Sequence, residues 1–340
     1  MAWSMGPIRT IDYHTAGEPF RIVADGGPVP DGGTVLDRRA AAQSSPQIDA
    51  VRQLLVREPR GHADMYGCFV VPPNDAGAQF GVLFWHKDGY STACGHGTIA
   101  LGAWAVESGL VRAAPDGATN VVIDVPSGRV TARVQCAGGM VTAVTFRNVD
   151  SYVLHRRVEV ATRRGTVHVD VSFGGAIYAS VSADSLGLAV VPARFTELVA
   201  VGREIKAALD GTAAARHPNE NRLDGIYGTI FYDDLGDLPD GPHQRNVAVF
   251  ADGEVDRSPC GSGTSARLAL LAADDRITAG QTLVHESIIR TTFRGRVLSV
   301  RRDQGLDLVA TEVEGTAYRT GEGSFVLDDR DDLGTGFTLR

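Results

Sequence analysis

The feature that most constrains this chain is a short pattern written twice. Ala93-Cys94-Gly95-His96-Gly97-Thr98 and Pro259-Cys260-Gly261-Ser262-Gly263-Thr264 share the form Cys-Gly-x-Gly-Thr. Their cysteines stand 166 positions apart in a chain of 340 residues. Self-similarity at half the chain length predicts two related halves rather than one large unit. Each copy opens a segment of helical periodicity, 99–106 and 265–272, closed by Ser108-Gly109 and by Asp274-Asp275.

A helix start carries chemistry because its first N–H groups have no partner inside the helix and the positive end of the dipole collects there. Such a site is expected to lower a cysteine pKa toward thiolate and to bind a carboxylate on backbone amides. The plainer alternative is two helix starts that happen to use cysteine. If both N-termini face one ligand across a cleft, two amide clusters hold its carboxylate while two thiols reach one carbon from opposite sides. The reaction needing that symmetry removes an α-proton on one face and returns one on the other, which is racemisation or epimerisation. Preorganised amides would stabilise the enolate-like charge, and a thiol pKa can be tuned toward operating pH.

Composition narrows the alternatives. The four cysteines, Cys68, Cys94, Cys136 and Cys260, form no C-x-x-C pair, so neither a zinc knuckle nor a thioredoxin-type motif is expected. Cys68 and Cys136 read as small buried hydrophobes. The net charge is −8, with 41 acidic against 33 basic residues, which leaves no electrostatic footprint for nucleic acid or an anionic membrane. No apolar run approaches the ~20 residues of a membrane span. Residues 1–7 have neither a basic segment nor an apolar core of the signal-peptide kind, so a cytoplasmic location is expected. The only lysines are Lys87, which reads as a hairpin tip, and Lys206, on a solvated helix face. A pyridoxal enzyme needs a Schiff-base lysine and is therefore not expected. The histidines are scattered without metal-ligand spacing, so no metal centre is expected.

Strand-like segments surround both motifs. Residues 81–86 followed by a turn at 87–89 precede the first, and 245–250 followed by 251–254 precede the second. Further strands are expected at 121–125, 128–134, 141–146, 281–292, 295–301 and 307–313, with a last pair at 316–319 and 324–327. Residues 166–173 alternate apolar and polar side chains as a half-buried antiparallel strand does. Helices are expected around 52–56 with its flanks and over 193–209. The count favours an α+β fold with mostly antiparallel sheet.

Ala93-Cys94-Gly95-His96-Gly97 and Asp256-Arg257-Ser258-Pro259-Cys260-Gly261-Ser262-Gly263-Thr264 resemble the motifs of the proline racemase family. That family includes proline racemases, 4-hydroxyproline 2-epimerases and trans-3-hydroxy-L-proline dehydratases. Matching stretches begin at Asp12-Tyr13-His14-Thr15-Ala16-Gly17-Glu18-Pro19 and include 59–67, 174–176 and 227–230, so the resemblance runs nearly the whole chain. It implies two pseudo-symmetric domains of the diaminopimelate epimerase type with the active site between them. Residues 1–150 with 325–340 would form the Cys94 half, and 151–324 the Cys260 half. It further implies no cofactor and a cyclic imino acid, proline or hydroxyproline, as ligand; a homodimer is compatible with it. Carried over by motif position, Cys94 and Cys260 are the acid/base thiols. The amides of Gly95, His96, Gly261 and Ser262 hold the substrate carboxylate, and Asp256 accepts a hydrogen bond from the ring ammonium. Asp256 could otherwise be an ordinary turn or N-cap aspartate, and the His96 ring merely a polar group at a helix start. His14, His62 and Asp64 lie in matching stretches without an assigned role and read as turn or packing residues.

The branch of the family turns on Cys260. Dehydratases of the family keep the first cysteine and place threonine at the second, since one thiol suffices to remove an α-proton and expel a 3-hydroxyl. Two thiols therefore favour an epimerase or racemase acting on 4-hydroxyproline or proline. The flanks at 17–23, 88–92 and 249–255 instead look most like the dehydratase branch, with Ala93 in place of a common methionine and Ser262 in place of a common threonine. A dehydratase and a non-catalytic imino-acid binder are the alternatives.

Overall fold

The computed structural model describes residues 6–339. Its first half runs β1 (Ile8–Thr15), β2 (Glu18–Asp25), α1 (Val35–Ser44), α2 (Pro46–Val56), β3 (Gly67–Val71), β4 (Phe80–His86), β5 (Gly89–Tyr90), α3 (Gly95–Glu107), β6 (Gly117–Val125), β7 (Gly128–Ala137) and β8 (Met140–Arg147). After β9 (Tyr152–Thr162) the plan starts again. It continues through β10 (Gly165–Phe173), β11 (Ile177–Ser182), α4 (Phe195–Leu209), β12 (Ile226–Leu238), β13 (Gly241–Phe250), β14 (Glu254–Val255), α5 (Gly261–Ala273), β15 (Thr282–Ser287), β16 (Thr292–Asp303) and β17 (Leu306–Gly315), and ends with β18 (Ala317–Phe325).

The duplication holds strand for strand. From β1 to β8 the pairings are β1–β2 antiparallel, β2–β3 parallel, β3–β4 and β4–β5 antiparallel, β4–β6 parallel, then β6–β7 and β7–β8 antiparallel. The series from β10 to β17 repeats every one of these senses in order. Parallel neighbours need a long crossover, and helices supply it at corresponding places, α1 and α2 opposite α4, and α3 opposite α5. The closing strands are exchanged. β9 follows the first half but pairs with β10, while β18 follows the second half and pairs with β1. β8 and β17, which correspond to each other, pair antiparallel and join the two halves. On strand pairing the return to the first half thus starts at Ala317, ahead of the expected 325. The fold is the expected α+β arrangement of two pseudo-symmetric, mostly antiparallel halves.

Each motif helix is the centre of its half. α3 is buried from Gly95 to Ala105 and packs against β1, β2, β6, β7, β8 and β18; α5 packs against β9, β10, β11, β16 and β17. A helix apolar on all sides must be enclosed, and here the sheet wraps it. α4 is amphipathic instead, burying Leu198, Val201, Ile205 and Leu209. No helix among the described residues is long and apolar enough to cross a membrane.

Three expectations change. The strand expected over 281–292 is broken by a turn after Ser287, with Arg290 at φ 69°, and chain pairing resumes at Thr292. The last two expected strands are one, β18, because Gly321 and Gly323 continue the ladder against β1. α1, like β1, β2, β3, β9, β11 and β12, is not among the expected elements: it buries only Val35 and Ala42, so apolar periodicity is weak, and a Thr34/Asp37 capping box marks its start.

Candidate active site

The two motif helices meet end to end. A Cβ added to Gly95 would lie 2.5 Å from Gly261 Cα, and one added to Gly261 would lie 2.7 Å from Gly95 Cα. Only glycine permits this backbone approach. The second glycine of each motif makes room for sulfur: a Cβ at Gly97 would be 2.7 Å from Cys94 Sγ, and one at Gly263 would be 2.9 Å from Cys260 Sγ. The N–H groups of Gly95, His96, Gly261 and Ser262 precede the first i−4 acceptor of their helices, so helix geometry leaves them without an intrahelical partner.

The thiols are not held alike. Cys94 is an extended N-cap, φ −156°, whose Sγ accepts the Gly97 N–H at 3.2 Å and lies 3.4–3.6 Å from the His96 ring nitrogens. Cys260 sits at φ 62°, a left-handed conformation that costs about 1–2 kcal/mol for a residue with a side chain. Buried bonds hold it there. Asn246 Nδ2 donates to the Pro259 carbonyl at 3.0 Å and to His285 Nε2 at 2.7 Å. Thr264 Oγ1 donates to the same carbonyl at 3.1 Å and takes the Nδ1–H of His285 at 2.9 Å. The Cys260 N–H is bound by Ser258 Oγ at 3.1 Å. Burial, with nearby Arg267, lowers the His285 pKa to about 3, so this histidine serves as a neutral strut.

A small cavity lies between the thiols, lined by Tyr66, Ala93, Cys94, Gly95, His96, Tyr178, Tyr227, Phe250, Asp256, Cys260 and Ser262. It offers about 10 Å³ of water-accessible space, less than a five-membered ring occupies. An open groove of about 900 Å³ reaches the other side of Tyr227. Every residue expected in the site is brought to it, Gly261 through its contact with Gly95.

Asp256 closes a turn, the plainer of its two expected readings, and it also lines the cavity. Its Oδ1 closes a turn with the Ser258 N–H at 2.8 Å and Ser258 Oγ at 2.7 Å, while Oδ2 lies 3.7 Å from His96 Nδ1. His96 is more than an amide, since its ring touches Cys94 and meets Tyr66 edge-on at 5.0 Å. The expectation of lowered thiol pKa values is not met. Burial pushes both cysteines well above the ordinary thiol range; the Gly97 N–H opposes this at Cys94, and the Asp256 carboxylate adds to it at both. The site therefore holds two buried thiols beside a carboxylate.

Residues around the cavity lock the halves together. Glu18, fully buried, accepts the Arg257 N–H at 2.7 Å, and its pKa is pushed well up by burial and by Asp256. Asp64 binds the Arg257 guanidinium at 2.8 Å, so it braces the turn that carries Asp256. His14 and His62 accept the N–H groups of Gly17 and Asp64 at 3.2 Å, as turn residues do. Lys87 stands at the expected hairpin tip, between β4 and β5. It is buried, 2.7 Å from Asp88 Oδ2 and 3.9 Å from Glu254 Oε1. His86, Asp88 and Glu254 place ligand-type atoms within 4.8 Å of one another, and this ammonium already supplies a cation there. The cavity tyrosines were not singled out from the sequence. Tyr66 and Tyr227 lie in stretches that match the family, and Tyr178 carried no local signal beyond its place on β11.

A duplicated α+β chain whose halves each present a cysteine at a helix start, the two starts in contact over one cavity, defines the epimerase-type architecture. Residues 10–338 match the proline racemase family. The chain is 44% identical over 333 residues to a trans-3-hydroxy-L-proline dehydratase from Bacillus cereus, covering 97% of each chain. It is 43% identical to a 3-hydroxyproline 2-epimerase from Burkholderia multivorans, covering 98% of each. The crystal structure of a hydroxyproline epimerase from Agrobacterium vitis with bound trans-4-hydroxy-L-proline matches with a TM-score of 0.91 at 29% identity, over 100% of this chain and 97% of that one. The chain belongs to the proline racemase family, a family of racemases, epimerases and dehydratases. The reading favoured by counting thiols is met in part: of these two relatives, both named for 3-hydroxyproline, one is an epimerase and the other a dehydratase, the activity given above as an alternative.

Proposed function

We propose that this chain is a trans-3-hydroxy-L-proline dehydratase that works without a cofactor, and that Cys94 is its acid/base. What supports the dehydratase reading is the 44% identity to the Bacillus cereus dehydratase over nearly the whole chain, together with the placement of Cys94 at the N-terminus of α3 on the cavity. The ring ammonium would enter beside Asp256, and the carboxylate would rest on the amides of Gly95, His96, Gly261 and Ser262. A cation beside the buried thiols stabilises thiolate, reversing the effect of burial at the moment of binding. The Cys94 thiolate takes the α-proton, and the amides hold the charge that moves into the carboxylate.

In trans-3-hydroxy-L-proline the hydroxyl lies on the ring face opposite the carboxylate, and therefore on the face of the α-proton. The thiol that has just taken the proton can pass it to the departing hydroxyl. The carbanion pair forms the C2=C3 bond, the C3–O bond breaks with its pair on oxygen, and water leaves. The resulting enamine tautomerises to the ketimine. Cys260 has no part in that sequence. Its thiol on the opposite face supports a second reading, 3-hydroxyproline 2-epimerisation, in which Cys260 protonates the same carbanion.

Incubating trans-3-hydroxy-L-proline, trans-4-hydroxy-L-proline and L-proline separately in D₂O, followed by NMR, tests this. Ketimine is expected from the 3-hydroxy substrate as the principal product. Efficient inversion of L-proline or trans-4-hydroxy-L-proline with no ketimine from the 3-hydroxy compound would overturn the reading.

A further inference from the structure

The inequality of the two thiols extends to the ring beside each. β2 and β11 are corresponding strands, and each follows a glycine in the left-handed region, Gly17 at φ 95° and Gly175 at φ 92°. Three residues beyond these glycines stand Phe20 and Tyr178. Phe20 lies beside the Cys94 turn, where a Cβ on Gly97 would meet its ring at 2.4 Å. Tyr178 lies beside Cys260, with Oη 3.7 Å from Sγ. The repeat thus differs at this place by one hydroxyl, on the Cys260 side only.

That hydroxyl has a defined task. Tyr178 is 1% exposed, its ring packs edge-on against Tyr227 at 5.5 Å, and among the described residues its recorded hydrogen-bond partner is Cys260. Burial holds the phenol neutral, so it remains an O–H donor. Cys94 has the Gly97 N–H and the His96 ring at its sulfur, whereas at Cys260 the groups that favour thiolate are the Tyr178 hydroxyl and the Gly263 N–H. A donor aimed at sulfur stabilises thiolate more than thiol, because a hydrogen bond to a charged acceptor is the stronger one.

We propose that Tyr178 is a positioning residue for Cys260 whose hydroxyl sets how the site divides its carbanion between reprotonation and loss of the 3-hydroxyl. This rests on the reaction proposed above. In the reprotonation branch the carbanion pair takes the proton of the Cys260 S–H, a C–H bond forms on the face opposite Cys94, and the S–H pair stays on sulfur as thiolate. Tyr178 O–H donates to that thiolate, so it lowers the barrier of this branch. The dehydration branch leaves Cys260 unchanged and gains nothing from the phenol. The groups facing Cys260 that also bear charge or titrate are Asp256 on its own turn, Cys94 and His96 at the start of α3, Tyr66 before β3, and Tyr227 on β12. Tyr178→Phe alters none of them.

The test compares wild type with Tyr178→Phe on trans-3-hydroxy-L-proline in D₂O, scoring Cα-deuterated epimer against ketimine, alongside iodoacetamide labelling of each cysteine as a function of pH by mass spectrometry. The expected result is a fall of about tenfold or more in the epimer-to-ketimine ratio, the scale of one hydrogen bond to a charged group. Labelling of Cys260 moves to higher pH, while the Cys94 profile stays in place. An unchanged ratio, equal movement of both profiles, or a wild type that forms ketimine with no deuterated epimer would overturn the role of Tyr178. Absence of both products with a selective Cys260 shift would overturn the proposed reaction while leaving the Tyr178–Cys260 bond supported.

Discussion

Replacing Gly95 with alanine isolates the contact on which the site depends. Gly95 is not in the left-handed region, so alanine is conformationally allowed there, and in a helix it is ordinarily favoured over glycine by about 0.5–1 kcal/mol. Here its Cβ would meet Gly261 Cα at 2.5 Å, Gly261 C at 2.6 Å and Ser262 N at 2.6 Å, all backbone atoms that cannot rotate away. Ordinary contact begins at 3.4 Å, so the helix ends must part by roughly 0.9 Å. Overpacking of this kind costs about 1–3 kcal/mol, which against the propensity gain leaves a net loss of up to about 2.5 kcal/mol. The catalytic cost is larger, because both thiols and all four amides move with the helix ends; a 1 Å misplacement costs about 10²-fold. Urea unfolding and kcat/KM on trans-3-hydroxy-L-proline measure the two effects. Gly321→Ala is the control, since Gly321 has no atom within 4 Å of an added Cβ and no left-handed φ, and it is expected to be nearly neutral. A Gly95→Ala enzyme as stable as wild type, with kcat/KM within about threefold, would refute the claim that this approach sets the geometry of the site.

The division of labour between the thiols predicts that Cys94→Ser loses ketimine and epimer together, by about 10²–10⁴-fold, as expected for a missing acid/base. Cys260→Ser is expected to keep dehydration and lose the epimer; loss of ketimine in that variant would place Cys260 on the dehydration path. His285 predicts an acid-sensitive fold. Its folded pKa of about 3 lies below the ordinary 6.5, so the unfolded chain binds a proton that the folded chain refuses, and stability falls as pH drops through that window. The share carried by His285 is about 2 kcal/mol at pH 5. Urea unfolding at pH 7 and pH 5 should show a smaller acid loss in His285→Gln than in wild type, and equal losses would remove His285 from the account.

Much of the fold was legible because its signals are local. Alternation at Val167, Val169 and Val171 set β10, and apolar spacing through Leu198, Ile205 and Leu209 set α4. α1 escaped because only two of its residues are buried. Lys87 stands at the expected hairpin tip, and its burial, unusual for a charged residue there, comes with Asp88 beside it and Glu254 from the other half. The site was legible where the motif repeats, at Cys94, Cys260 and their glycines, and at Asp256 through the resemblance. Tyr66, Tyr178 and Tyr227 stayed hidden, since aromatic residues on strands usually mean core packing, and which face of a strand looks into a cavity is set by long-range register.

By itself the sequence determined the duplication, the two helix starts with a cysteine at each, and membership of a family. The reason is that a repeat and a helix cap are written in adjacent residues. Tertiary structure alone decided that the helix starts touch, that the return to the first half begins at β18, and that the two thiols differ. Cys94 and Cys260 share one motif, yet one is an extended cap and the other is held left-handed beside a phenol. Those differences come from residues distant in the chain, such as Asn246, His285 and Tyr178, which reach a cysteine only when the sheet brings them there.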